Sequence, residues 1–489
     1  MNESTIREQH LDLKDVIIIG GGPAGLTAAY ELARAGVRPI VLEMGARVGG
    51  IARTEVFDGY RMDIGGHRFF TKVPEVEAFW HEVLGDDFLV RPRLSRIYYN
   101  RKFTLYPLRF GDALRKLGVW QSFLVLMSYF RSKLLPYRNE RTFEEWVSNR
   151  FGRRLYRIFF KTYTEKVWGI PCNQLSALWA AQRIQNLSLP RAVLGALLGA
   201  RGAKNVKSLI EEFHYPRLGP GMLWERTQQL IEQRGGEVRL NTEVVKVVHR
   251  AGKAVGVVAR SGGQETLIQA DAVISSMPIG ELIERLDPPA PDDVRDGAAR
   301  LTYRDYFTVG LVVNRPEVFP DNWIYIHAPE VKVGRIQNFK NWSREMVPDQ
   351  SKTFLGLEYF CTEGDDLWRQ PDEALIELAA RELEIMGLVK AAEVERGYVV
   401  RQRKTYPVYT GEYEAYLERI RGYLDSIASL QTVGRNGLHM YNNQDHSMLT
   451  AMLAVKNLLG QGVHDVWSVN VERAYHEEIR LPSSADVTP

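Results

Sequence analysis

Three glycines and one acid carry the first chemistry legible in this 489-residue chain. In VIIIGGGPAGLTAAYELARAGVRPIVLE, residues 16–43, Gly20, Gly22 and Gly25 stand in G-x-G-x-x-G spacing, and Glu43 follows 23 residues after Gly20. The first glycine permits a tight turn, the second lets backbone approach a pyrophosphate, and the third lets a helix pack closely on a strand. Phosphate then rests at a helix N-terminus, where unpaired N–H groups and the helix dipole favour negative charge. An acid at the distance of Glu43 accepts hydrogen bonds from an adenosine ribose. The set predicts a dinucleotide site.

The residues that follow decide which dinucleotide. Gly49-Gly50 and Arg53 come directly after the second expected strand, and Asp63-Ile64-Gly65-Gly66-His67 comes soon after. Taken alone, Gly65-Gly66 reads equally as an ordinary turn. Together with Gly50 it supplies a second and third backbone cradle, the need of a long flat ligand such as FAD.

These residues must be held by elements that the pattern also predicts. An apolar strand, Val16 to Ile19, enters the glycine turn. A helix with small residues follows, and then a strand from Val37 to Leu42 that ends on Glu43. Leu94 to Tyr106 reads as a hairpin turning at Asn100, and residues 107–214 as a largely helical subdomain. Within it, Leu189 to Lys207 is small, glycine-rich and basic, either a lid or a loosely packed helix pair. Gly219-Pro220-Gly221 opens a further helix, Glu237 to Val248 pairs with Ala254 to Ala259, and Ala270 to Met277 is a buried strand. Residues 300–400 alternate as an antiparallel sheet, crossed by a helix from Asp365 to Met386. Gly434-Arg435-Asn436-Gly437 then precedes Asn443-Gln444-Asp445-His446-Ser447, a polar N-cap cluster opening a helix from Met448 to Leu459. Its positive end suits the flavin pyrimidine.

The expected fold class is therefore α/β with α+β character. A Rossmann-like FAD-binding domain of the glutathione-reductase type takes residues 14–93, 215–298 and 395–475. An antiparallel-sheet substrate domain takes 94–106 and 299–394, and the helical subdomain takes 107–214. At this length one core does not suffice, and more than one domain is expected.

Composition excludes several classes. The net charge is +3, 45% of residues are hydrophobic, and Cys172 and Cys361 are the only cysteines, so neither a disulfide framework nor a cysteine-built metal site is expected. Both thiols are expected to be buried, in a reducing compartment. The polar N-terminus and the lack of an apolar run of roughly 18 residues point to a cytoplasmic location. Residues 101–160 hold thirteen Lys/Arg against four acids, together with the apolar run Phe123 to Met127. That is either a basic face touching the inner surface of a membrane, or a helical surface that is simply solvated or serves an anionic substrate. No nucleic-acid-binding motif accompanies it.

The two ends of the chain resemble the flavin superfamily of amine oxidases, protoporphyrinogen oxidases and phytoene desaturases. The interior is most similar to the UDP-galactopyranose mutase family, the eukaryotic type in particular, from about residue 14 to 475. Four segments carry the likeness: Gly65-Gly66-His67-Arg68-Phe69-Phe70, Lys166 to Arg183, Asn322 to Arg335, and Gly434 to Met448. The resemblance implies His67 beside the flavin N5, Phe70 against a nucleotide base, Trp168 facing substrate and Arg183 on phosphate. It also implies a phosphate-contacting pair, Tyr325 and Arg335, with Tyr441 and Asn443 on the same phosphates. Folds of this kind press the backbone of Val244 on adenine and bring Gly434, Asp445 and Ser447 to the flavin. Three departures fall at the nucleotide-base end, one of them a link from Tyr441 to Asn443 that is two residues shorter than the family's. Tyr106-Pro107-Leu108 is followed by Arg109 where that family has Gln, and Thr164 stands where it has Asn.

What the resemblance implies for activity is a redox-neutral pyranose–furanose isomerisation of a phosphate-linked sugar, the carrier being a nucleotide or a lipid phosphate. It runs through a sugar adduct at N5 of reduced FAD, with NAD(P)H as reductant and Arg183 and Arg335 holding the departing phosphate. Two guanidinium groups and two tyrosine hydroxyls suit a diphosphate. The alternative is an FAD-dependent oxidoreductase taking hydride from an amine, a porphyrinogen or a polyene.

Overall fold

In the computed structural model, described for residues 13–106, 110–177, 211–409 and 412–469, the nucleotide-binding half is built on a five-stranded parallel sheet. Its order is Leu430–Thr432, Ala272–Ser275, Asp15–Ile19, Arg38–Leu42 and Glu237–Arg239. The central strand is apolar at successive positions because both of its faces are covered, as parallel sheets require. Val16 and Ile18 pack with the helices Pro23–Arg34, Pro74–Leu84, Gly221–Gln233 and Gln444–Leu458. Ile17 and Ile19 point the other way, into a core shared with a four-stranded sheet that includes Glu243–Arg250 and Lys253–Ser261.

The second large sheet has seven strands, in the order Val394–Pro407, Tyr303–Val313, Thr353–Cys361, Arg335–Asn338, Trp323–Ile326, Ser95–Tyr99 and Lys102–Leu105. Its two faces do different work. Phe307, Val309, Leu355, Leu357 and Ile336 bury against the helix Asp372–Ile385. Their alternating neighbours Tyr306, Thr308, Glu358 and Arg335 stand on the opposite face. Register pairs Thr308 with Glu358, Glu358 with Arg335, and Arg335 with Tyr325. Polar side chains from four strands thus form one row.

Several sequence expectations need correction. The sheet is not wholly antiparallel, since Trp323–Ile326 runs parallel to Ser95–Tyr99; two excursions of the chain meet there. Strand Val394–Pro407 pairs with Tyr303–Val313, so the stretch after residue 395 begins in the substrate sheet and not in the nucleotide-binding domain. Glu237 to Val248 is two strands in different sheets, because Asn241 takes a positive φ of 52° and redirects the chain. The crossing helix starts at Asp372, after Pro371, not at Asp365. The hairpin turn falls at Asn100 and Arg101, both with positive φ, the twist that two-residue hairpins need.

The described part of 107–214 contains the helices Phe110–Leu117, Val119–Leu134, Phe143–Phe151 and Thr162–Trp168. Leu189 to Lys207 lies outside the described residues. Cys172 and Cys361 are buried, and burial pushes both thiols up to about 12. No described helix is long and apolar enough to cross a membrane.

Candidate active site

The glycine turn is set by crowding. A β-carbon at Gly25 would stand 1.9 Å from the carbonyl oxygen of Gly20, and Gly20 itself holds φ +99°. Helix Pro23–Arg34 therefore starts hard against the end of the central strand, with Pro23 at its first position. Gly22 faces Gly50 across this turn. A β-carbon at Gly50 would come 3.2 Å from the Gly22 Cα, so two bare stretches of backbone run side by side. Glu43 accepts the N–H groups of Gly21 and Gly45, both at 2.7 Å. A carboxylate offers about four acceptor positions, which leaves capacity for a ribose. Arg53 joins the second turn to the large sheet, donating to Gly50 O at 2.8 Å and to Gln402 Oε1 at 3.0 Å.

These features fit a dinucleotide. So does the N-terminus of helix Gln444–Leu458, where the buried Gln444 carboxamide has no hydrogen-bond partner among the described residues. A buried, unpaired amide is costly, and a ligand with donors and acceptors along one edge relieves that cost. Ser447 Oγ donates back to Asn443 O at 3.1 Å within the same turn. Gly434 lies against Ala24 and donates its N–H to Thr450 Oγ1 at 2.9 Å, which ties this helix to the first one. The Val244 side chain is buried in the core.

A Gly25→Ala variant tests the cradle directly. The extra methyl forces the turn open, so purified protein is expected to retain about tenfold less flavin than the parent, equivalent to about 1.4 kcal/mol of binding, with circular dichroism unchanged. A flavin-to-protein absorbance ratio equal to the parent's would show that the turn does not hold the cofactor.

Beside these turns is a cavity lined by Gly65, Gly66, His67, Phe70, Tyr306, Arg335, Tyr406, Arg435, Tyr441, Asn443, Gln444 and Asp445, among others. His67 Nε2 lies 2.8 Å from both Ile64 O and Ile51 O, so it donates to backbone. Burial, together with Arg435 and Arg335, brings its pKa down to about 4. His67 is a neutral group pinning its own loop, not a cation.

Arg335 differs from expectation. Its Nε donates to Glu358 Oε2 at 2.7 Å, and its Nη2 donates to the Tyr406 hydroxyl at 2.8 Å. Glu358 is fully buried and also accepts from Gln337 at 2.7 Å. The Arg335 charge is therefore largely spent inside the sheet. Arg435 is the contrasting case. It donates only to neutral carbonyls, Asn442 O at 2.8 Å and Thr405 O at 3.0 Å. Its guanidinium lies 4.8 Å from the Tyr441 ring centroid, and no carboxylate among the described residues pairs with it. The Tyr406 ring stacks on Tyr441 at 5.5 Å, and burial pushes its phenol up to about 12.

The structure brings together His67, Phe70, Arg335, Tyr441 and Asn443 around the cavity. It sets Tyr325 beside Arg335 in register, with its ring 4.4 Å from Tyr106. Trp168 is 3% exposed and packs near Tyr406 and Tyr409, and Thr164 is likewise buried; neither lines the cavity. Arg109 and Arg183 lie outside the described residues. Sequence reasoning passed over Tyr306, Tyr406, Glu358, Gln444 and Arg435. Arg435 and Gln444 had a local signal, the first a cation set between Gly434 and Asn436-Gly437, the second a member of the N-cap cluster that follows. Tyr406 and Glu358 sit in plain strand sequence and are found only through register.

Comparison with known proteins follows the same lines. Residues 23–452 match the family of flavin containing amine oxidoreductases. Among curated proteins, nicotine dehydrogenase of Pseudomonas putida is 25% identical over 391 residues, 73% of this chain and 76% of that one. The chain spans 14% to 50% of the length of other curated relatives, such as pseudooxynicotine dehydrogenase from a Pseudomonas species, 43% identical over 70 residues. Among solved structures, that of reduced UDP-galactopyranose mutase superposes with a TM-score of 0.81 at 22% identity, covering 94% of this chain and 98% of that one. A putative protoporphyrinogen oxidase from Exiguobacterium sp. 255-15 gives 0.68 at 19% identity, covering 92% and 99%. At such identities the likeness concerns the fold.

Proposed function

We propose that this chain, which belongs to the flavin containing amine oxidoreductase family and is an FAD-dependent enzyme, is a mutase that isomerises a phosphate-linked sugar between ring forms. The observation that carries this reading is Arg435, a guanidinium bonded only to carbonyls on the wall beside the cofactor turns. Arginine presents planar donors that match phosphate oxygens.

Gly20, Gly22, Gly25, Glu43 and Gly50 would hold the nucleotide part of FAD, and the N-terminus of helix Gln444–Leu458 its ring system. Bound FAD supplies two-electron transfer when oxidised and a nucleophilic ring nitrogen when reduced. The protein's part is electrostatic. Arg435 attracts and holds the phosphate whose charge grows as the anomeric bond breaks, and donors fixed in advance cost no reorganisation at that moment. Tyr406, whose phenol burial keeps protonated, offers a hydroxyl donor beside the ring of Tyr441. Arg335 orients Tyr406 through its hydrogen bond. His67, neutral and tied to Ile64 and Ile51, keeps the Gly65-Gly66 turn against the site. Arg183 is assigned a second phosphate contact on the resemblance alone, and NAD(P)H is proposed as the source of electrons.

The second reading is an FAD-dependent oxidoreductase of the amine oxidase, protoporphyrinogen oxidase or desaturase type. The aromatic wall of Tyr306, Tyr406, Tyr441 and Phe70 favours it, and so do curated relatives that are dehydrogenases. One experiment separates the two. Dithionite-reduced protein is incubated anaerobically with UDP-galactopyranose and a panel of other sugar nucleotides, and the products are resolved by anion-exchange chromatography. The expected result is a ring isomer of one of them with no net oxidation of the protein. Absence of any isomer, with turnover of a porphyrinogen under oxygen, would establish the oxidoreductase instead.

A further inference from the structure

We propose that helix Val119–Leu134 docks this protein on the surface of an anionic phospholipid bilayer, with the basic cavity behind it receiving lipid phosphate. This goes beyond the assignment of the flavin site and does not depend on which reaction occurs there.

Trp120, Phe123, Met127, Phe130 and Leu134 recur at intervals of three and four along this helix, so they form one stripe. A helix of a globular protein ordinarily turns such a stripe into the core. Here it points outward, at 68%, 51%, 52%, 58% and 81% exposure. The buried positions of the helix are instead Val125 and Ser132. Trp120 and Phe123 stack on each other in the open, ring centroids 5.9 Å apart, and Val119 and Leu135 extend the apolar surface at both ends. Contiguous apolar surface of this kind marks an interaction site.

Charge indicates what covers it. Behind the stripe is a cavity of about 790 Å³ lined by Lys102, Lys116, Arg131, Arg153, Arg154 and Arg157, with no carboxylate among the described residues of its wall. Lys116 pairs with Asp112, Arg154 is held by Gln121 and Arg153 by Tyr137. Arg131 and Arg157 are exposed and have no carboxylate partner among the described residues. Leu124, Met127 and Phe159 give the same cavity an apolar side. An apolar stripe edged by cations, with a tryptophan near one end, is the composition of a helix lying in the headgroup region, and anionic lipid adds attraction for each nearby Lys or Arg.

The test uses full-length, flavin-loaded protein sedimented with vesicles of phosphatidylcholine alone or mixed with phosphatidylglycerol. Binding is expected to the mixed vesicles, about tenfold stronger than to phosphatidylcholine alone and weakened by added salt. Because both positions are exposed, the double variant Phe123→Glu/Phe130→Glu should keep its flavin and lose the vesicles. Arg131→Glu/Arg157→Glu should lose the preference for phosphatidylglycerol. The proposal is overturned if the parent stays in the supernatant at low salt or if either double variant sediments as the parent does. It is also overturned if light scattering reveals a dimer that Phe123→Glu/Phe130→Glu dissolves, since a second copy would then be what covers the stripe.

Discussion

Replacing Arg435 with methionine is expected to weaken binding of UDP or pyrophosphate to the flavin-loaded protein about 10- to 100-fold, the range implied by losing one or two hydrogen bonds to a charged group. Methionine keeps much of the side chain's length and apolar contact with Tyr441, so flavin content and melting temperature should change little. The reason lies in the electrostatics of the wall. Arg435 bonds only to Asn442 O and Thr405 O, and neutral carbonyls orient a guanidinium without cancelling its charge. A ligand phosphate then meets a guanidinium that no carboxylate among the described residues pairs with. Titration followed by the perturbation of the flavin spectrum measures the effect. Equal affinity in parent and variant would remove the main support for a phosphate-linked substrate.

Arg335→Ala should behave differently, with its damage falling on stability. The substitution leaves Glu358 at zero exposure without its cation. Breaking a buried ion pair from one side costs about 3–5 kcal/mol, whereas removing both charges together is often close to neutral. The variant is therefore expected to unfold at markedly lower denaturant, and Arg335→Met combined with Glu358→Leu to recover most of the loss. Chemical denaturation of the three proteins provides the comparison. If Arg335→Ala kept the parent's stability and lost only ligand affinity, the guanidinium would be serving substrate and not the sheet. The result bears on function too, because Tyr406 depends on Arg335 for its orientation and stacks on Tyr441.

The two arginines show how unevenly the site could be read in advance. The glycine turn was legible because its causes are local. Gly20 and Gly25 collide through atoms only five residues apart, and an apolar strand running into them admits few other conformations. The hairpin around Asn100 is of the same kind, set by a period of two that the segment carries with it, whereas the outward direction of the apolar stripe on helix Val119–Leu134 emerged only from the fold. The motif at Gly65-Gly66-His67 was legible as a turn. That His67 spends its Nε2 proton on Ile64 and Ile51, and is neutral as a result, was not.

What only the tertiary structure decided is the pairing of polar groups across strands. Arg335 and Glu358 stand 23 residues apart and meet because Arg335–Asn338 and Thr353–Cys361 align in one particular register. Tyr406 joins them from a strand on the other side of Tyr303–Val313, past an irregularity in that pairing between Arg304 and Tyr306. A shift of one residue in any of these strands would turn the side chain to the helix-covered face. Pairing register is set by the packing of both sheet faces at once, which no single segment encodes. Residue types at the right spacing therefore announced the cofactor cradle, whereas which cation remained uncompensated beside it was determined by long-range contacts alone.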